Sequence, residues 1–383
     1  PLFDIGNFDQ LNFDLVNLNK ENLKNYQFLY IHSSTLKYFA LASGIKNSNF
    51  SNEFNKLIKH YLVTIELAIK KTPSIQFIIN LFELPPYRTR GTDSIKSGVV
   101  RSIIDVNSKI VSLSKKYNNI IIHDSNYVSA SIGLNNWYDF NSWVAFKQPF
   151  TGEALKFLAK SLASVIAAAA GKSKKLLICD LDNTLWGGVI GDDGVEKIHL
   201  GHNTPKGELF LFVHSFVKSL QASGIAIGIC SKNDFDNAKL GFSTQHSILD
   251  FGDFANKKIN WHPKSENINS MLKELNLGPE SVVFVDDSLV EINEVLTSIP
   301  RSQCINFKKN PIDFIKLIDE LGLFEAQKIT NDDLIRNKSY LENSKREIVK
   351  KGFKNQDDFL VTLNMKSKFF WNTTNDALRI SNL

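Results

Sequence analysis

The sequence is poor in cysteine and methionine, with three and two in 383 residues. Three cysteines, Cys179, Cys230 and Cys304, are too few for a disulfide framework, which points to a reducing, cytoplasmic setting. Long apolar runs are missing. The longest, at 164–171, is rich in alanine and far too short to cross a bilayer, and no signal peptide is visible. Arginine is scarce, and the lysines that supply most of the +5 net charge are scattered. Without a dense basic stripe carrying interleaved aromatics, neither nucleic acid nor membrane is an expected partner. A mild basic excess suits anionic small substrates or acidic surfaces, although a solvated lysine-rich surface explains it as well.

What is present is material for large cores: 43% apolar and 22% charged residues over a length that calls for two or three domains. Short runs rich in Ile, Phe and Tyr at 27–33, 74–80 and 118–123 alternate with helical patterns at 54–71 and 97–117. Strands alternating with helices predict a parallel sheet, and residues 1–170, with a connecting helix at 151–171 capped by Thr151, read as one α/β domain. A second α/β pattern follows at 171–325, with strands at 176–180, 225–231, 282–286 and 304–307. Its helix at 205–223 opens on Thr204 and Pro205 and stops at Gly224. Residues 326–383 form a third piece: a charged helix at 330–352 capped by Thr330 or Asn331, a short helix at 357–363, a strand at 365–371 and a last helix at 377–383 that reads as cut short. With Pro1 at the start, this leads to the expectation that the sequence is a piece of a longer protein.

The chemistry lies in the second pattern. A buried strand ends in Asp180 and Asp182, two carboxylates at the strand end where open α/β sheets bind ligands. Alone, such a pair reads equally well as turn-capping aspartates. A second apolar strand ends in Ser231, Lys232 and Asn233, where a hydroxyl and adjacent N–H groups can grip phosphate oxygens. Lys264 follows Pro263 at a helix start and can offer its ammonium to a phosphoryl group. A third apolar strand ends in Asp286 and Asp287, with Glu291 four residues on. Adjacent carboxylates repel each other, a cost that a bound cation removes.

In order, spacing and strand context these resemble the four motifs of the HAD superfamily. The run from Trp186 to Gly194, with Cys230 to Asp234, Pro263 to Asn267 and Phe284 to Asp287, is similar to the FkbH-like branch, whose members prepare glyceryl units for polyketide assembly or sit in surface-glycan gene clusters. The resemblance implies a Rossmann-like domain with a Mg²⁺-dependent phosphoric monoester hydrolase or phosphoryl transferase site. Asp180 would be the nucleophile and form an aspartyl phosphate, and Asp182 the acid and base, its backbone carbonyl also a metal ligand. Asp180, Asp182, Asp286 and Asp287 would hold the metal, with Glu291 behind a water. Ser231, Lys232, Asn233 and Lys264 would bind the substrate phosphoryl group. The spans between Asp180 and Ser231, and between Lys264 and Asp286, are too short for a large cap, so the site is expected to be open. That favours a phosphorylated small molecule presented on an acyl carrier protein, or a site closed by flanking domains.

Residues 1–150 resemble the degenerate SGNH-like domain that precedes FkbH-like phosphatase domains, a flavodoxin-like α/β unit, on Gly133 to Asp139 and Lys147 to Thr151. Lys147 and Gln148 stand where an SGNH enzyme needs histidine, and the opening serine motif is absent, so the domain reads as non-catalytic. His123 beside Asp124 reads as a strand-end histidine and a helix cap. Residues 330–383 resemble the entry to an acetyltransferase-like domain, truncated before any CoA pyrophosphate loop.

Three rivals remain. A glyceryl transferase loading a carrier protein would need a cysteine, but strand alternation turns Cys179 and Cys230 away from their catalytic neighbours. A protein phosphatase fits the capless motif, but the 186–194 flap and the first domain argue against it. A metal-binding scaffold without turnover would be expected to have lost one of the motif residues, and all are present.

Overall fold

A computed structural model describes residues 10–18, 23–44, 49–307, 310–331, 333–335, 339–340 and 342. The chain divides into two compact units, one of residues 1–175 with 310–329, the other of 176–309 with 330–383.

In the first unit β1 (Phe28–Ile31), β2 (Gln76–Asn80) and β3 (Ile120–His123) form a parallel sheet in the order β1-β2-β3. The alternation of β2 side chains decides which layer each meets. Phe77 and Ile79 face the core made by the helices Phe50–Lys71 and Val99–Lys116. Ile78 turns the other way, toward Ile121 and Val165 of the helix Gly152–Ala169. Thr151 caps that helix, its hydroxyl accepting the Ala154 N–H. Residues 310–329 group with this unit. Backbone and side-chain bonds hold them there: the Lys174 N–H donates to the Leu323 carbonyl at 3.0 Å, and the Tyr127 hydroxyl to Asp319 at 2.7 Å.

The second unit is built on five parallel strands in the order β6-β5-β4-β7-β8: β4 (Leu176–Cys179), β5 (Ala226–Ser231), β6 (Asn256–Ile259), β7 (Val282–Asp286) and β8 (Gln303–Asn306). The central strands are buried on both faces, so they read as continuous apolar runs rather than alternating ones. The edge strand β6 carries no such run. Its Asn-Lys-Lys-Ile sequence is held by Glu274, which accepts from Asn256 at 2.7 Å and Lys258 at 2.6 Å. The helix Pro205–Ala222 starts on the Thr204 cap and stops at Gly224, whose φ of +90° a side chain would strain.

Of the expected third piece, the cap at Thr330 lies among the described residues: its hydroxyl accepts the Asp333 N–H at 3.2 Å. The helix at 357–363, the strand at 365–371 and the final helix at 377–383 lie outside them.

Candidate active site

Pairing register assembles the site. Cys179 of β4 pairs with Val285 of β7, and Asp180 continues the ladder by donating its N–H to the Val285 carbonyl at 3.0 Å. One step further along the same register, Asp180 comes beside Asp286. On the other flank, β4 pairs with β5, which ends in Ser231. The residues singled out in the sequence therefore converge at the C-terminal edge of one sheet.

One carboxylate oxygen each from Asp180, Asp286 and Asp287 lie within 4.8 Å of one another. Lys264, at the start of the helix Lys264–Glu274, sits in the same place. Its Nζ lies 2.6 Å from Asp286 Oδ2 and 2.9 Å from Asp180 Oδ1. The second contact is an ion pair to a buried oxygen. Burial alone would push the Lys264 ammonium down, but the Asp180 and Asp286 carboxylates outweigh it and hold it above its usual value. Burial, and then the Asp180 charge, pushes the carboxyls of Asp286 and Asp287 up. Three hard oxygen donors, clustered and mutually repelling, fit a divalent cation. Asp286 Oδ1 is meanwhile taken by the Ser288 N–H at 2.8 Å.

Asp182 is held by three other donors. Its Oδ1 accepts from Trp186 Nε1 at 2.8 Å and from the Ile190 N–H at 3.1 Å, and its Oδ2 from Asn233 Nδ2 at 2.9 Å. Burial raises its carboxyl above the usual range, and the donated hydrogen bonds only partly oppose that. The flap that supplies two of these donors is a tight turn. Asn183 takes a left-handed φ of +54°, and its side chain accepts the Gly188 N–H at 2.9 Å. The flap returns through paired bonds between Gly187 and His199. Between Asp180 and Ser231 the chain holds this flap, the short helix Ile190–Asp193 and the helix Pro205–Ala222, and between Lys264 and Asp286 one α-helix and a single 3₁₀ turn. Neither span carries a cap domain.

The remaining side chains are engaged locally. Lys232 Nζ bonds Glu291 Oε1 at 2.7 Å, and Glu291 Oε2 is buried without a partner. Asn233 donates to Asp182 and accepts the Asp234 N–H at 2.9 Å. Ser231 is buried at the end of β5. Cys179 and Cys230 are both buried, and burial pushes both thiols up, against a nucleophilic role. Trp186 and Ile190 as partners of Asp182 were not read from sequence. The only signal was a tryptophan four residues after Asp182, and nothing in the pattern said which way its indole would point.

Comparison with family descriptions and with curated proteins finds no match. Among solved structures, the chain is similar to the N-terminal part of the protein BF1531 from Bacteroides fragilis, which contains a phosphatase domain and was crystallised in complex with Mg. The two share 29% identity at a TM-score of 0.78, over 84% of this chain and 86% of that one. The cobalt-bound deoxy-D-mannose-octulosonate 8-phosphate phosphatase of Haemophilus influenzae also aligns, at 16% identity and a TM-score of 0.26, over 49% of this chain and 98% of that one. The four motifs thus converge on one sheet edge, in an α/β fold similar to that of the phosphatase-containing Bacteroides protein.

Proposed function

We propose that the chain is a Mg²⁺-dependent phosphoric monoester hydrolase working through Asp180. The observation that carries this reading is the buried trio Asp180, Asp286 and Asp287 with Lys264 set between two of its members. Asp180, Asp286 and Asp287 would hold Mg²⁺ through carboxylate oxygens, with the Asp182 carbonyl as a further ligand. When bound, Mg²⁺ offsets the repulsion between a carboxylate nucleophile and an anionic phosphate. The Asp180 carboxylate attacks phosphorus while the bond to the leaving oxygen breaks. The leaving oxygen keeps the electron pair of the broken bond and receives a proton from Asp182. Water, giving a proton back to Asp182, then attacks the aspartyl phosphate; the bond to Asp180 breaks and phosphate leaves. Lys264, Ser231 and the N–H groups that follow Ser231 neutralise the equatorial oxygens.

The finer reading is an FkbH-like enzyme acting on a small acyl or sugar phosphate. A site with no cap in either span supports a substrate presented on a larger body such as a carrier protein. The first unit is a non-catalytic SGNH-like domain in this reading. In support, Asp124 is used as the cap of the helix Ser125–Ile132, and His123 is buried between the Tyr30 hydroxyl at 2.9 Å and Ser161 at 3.1 Å.

Phosphate release from an aryl phosphate and a panel of acyl and sugar phosphates, with Mg²⁺ and with EDTA, tests the proposal. Release is expected only with Mg²⁺, and Asp180→Asn is expected to lower it by about a thousandfold or more. Release that survives EDTA or the substitution would overturn it.

A further inference from the structure

Three nitrogen donors converge on one carboxylate in the site, and two of them belong to side chains. Trp186 Nε1 and the Ile190 N–H bond Asp182 Oδ1, and Asn233 Nδ2 bonds Oδ2. Both side chains are themselves fixed. The Asn233 amide accepts the Asp234 N–H through Oδ1, which decides that its nitrogen end faces Asp182. Asp234 in turn caps the helix Phe235–Phe242. Trp186 is fully buried, its ring 5.3 Å from that of Phe242 at the far end of the same helix. Its six-membered ring lies where a Cβ on Gly241 would come within 2.9 Å. One short helix thus anchors both arms of a clamp.

We infer that Trp186 and Asn233 are positioning residues that aim the Asp182 carboxyl at the leaving oxygen, away from the Asp180, Asp286 and Asp287 trio. The inference rests on the phosphatase reading for its chemical consequence. A carboxyl that rotates freely next to a metal trio is drawn in as another ligand, whereas one held on both oxygens keeps its direction. The consequence falls on substrate class. An alkyl or sugar phosphate expels a poor leaving group and needs the proton; an aryl phosphate expels a stable phenolate and needs it little.

The test is a ratio. Trp186→Phe, which keeps most of the packing, and Asn233→Ala are each expected to lower kcat on an alkyl phosphate relative to kcat on p-nitrophenyl phosphate by about tenfold. In an Asp182→Asn background neither is expected to lower the ratio further, since both act through Asp182. Equal losses on both substrates, or a rise in KM with the ratio unchanged, would overturn the inference in favour of plain packing or direct phosphate binding. A second measurement needs no turnover. The Trp186 indole N–H resonance, assigned by its loss in Trp186→Phe, is expected to shift and to exchange faster with solvent in Asp182→Ala. An unmoved resonance would overturn the clamp. Absence of phosphate release from wild type, with the resonance shift present, would count against the phosphatase reading alone.

Discussion

Lys264 is the residue whose surroundings do most to set the site's charge balance. It is an ammonium buried against two carboxylates, Asp180 and Asp286, which are themselves 6% and 0% exposed. Truncating one partner of a buried ionic group leaves the others uncompensated, at a cost of about 3–5 kcal/mol. Lys264→Met is therefore expected to lower the unfolding free energy in EDTA by that order. Added Mg²⁺ should recover more stability in the variant than in wild type, because the dication then replaces the lost positive charge beside Asp180 and Asp286. An equal Mg²⁺ response in both, read by thermal denaturation, would show that the ammonium and the cation do not share these oxygens. The presence of Asp180, Asp182, Ser231, Lys264, Asp286 and Asp287 at one sheet edge was legible in the sequence, because strand ends and motif order announce it. What Asn233 and Lys232 do with their side chains was not. Their sequence context placed them beside a phosphate site, but the local bonds to Asp182 and Glu291 depend on rotamers that no periodicity encodes.

Among the elements, the flap and the helix Phe235–Phe242 depend on one glycine. A Cβ on Gly241 would lie 2.9 Å from Trp186 Cη2 and 3.2 Å from Ile190 Cδ1. Gly241→Ala gains up to about 1 kcal/mol of helix propensity, while crowding a buried indole costs about 1–3 kcal/mol. The two nearly offset, so stability is expected to fall by no more than about 2 kcal/mol. Turnover of an alkyl phosphate should fall further than stability does, because the flap carries two of the donors to Asp182. Denaturation and kinetics on the same sample check this, and a variant with wild-type kinetics would show that the flap tolerates the shift. Strands β4, β5 and β7 were legible because burial on both faces writes an unbroken apolar run. Strand β6 was not, because an edge strand carrying Lys257 and Lys258 looks like a loop until its neighbour is known.

At the scale of the whole molecule, each unit buries a histidine completely: His123 in the first and His214 in the second. Burial lowers both from 6.5 to about 4, and at His214 the bond to the Leu185 carbonyl only partly opposes it. Below pH 6.5 the unfolded chain takes up protons that the folded units refuse. Stability is then unaffected by these groups above 6.5, falls as pH drops from 6.5 toward 4, and levels off below. The slope is about 1.4 kcal/mol per pH unit for each histidine. Denaturant midpoints at pH 7 and pH 5 are expected to show this loss, and His123→Gln and His214→Gln should each flatten part of it; slopes unchanged in both variants would refute the assignment. By itself the sequence determined the α/β class, the parallel sheets, the order of the four motifs and the lack of room for a cap, because these follow from hydrophobic period, strand-end residues and plain chain length. The tertiary structure alone decided that residues 310–329 group with the first unit, and that the Asp182 carboxyl is bonded by Trp186, Ile190 and Asn233. Both depend on side-chain and backbone hydrogen bonds between segments distant in sequence or set by a loop's path, and such bonds leave no periodic trace in the chain that makes them.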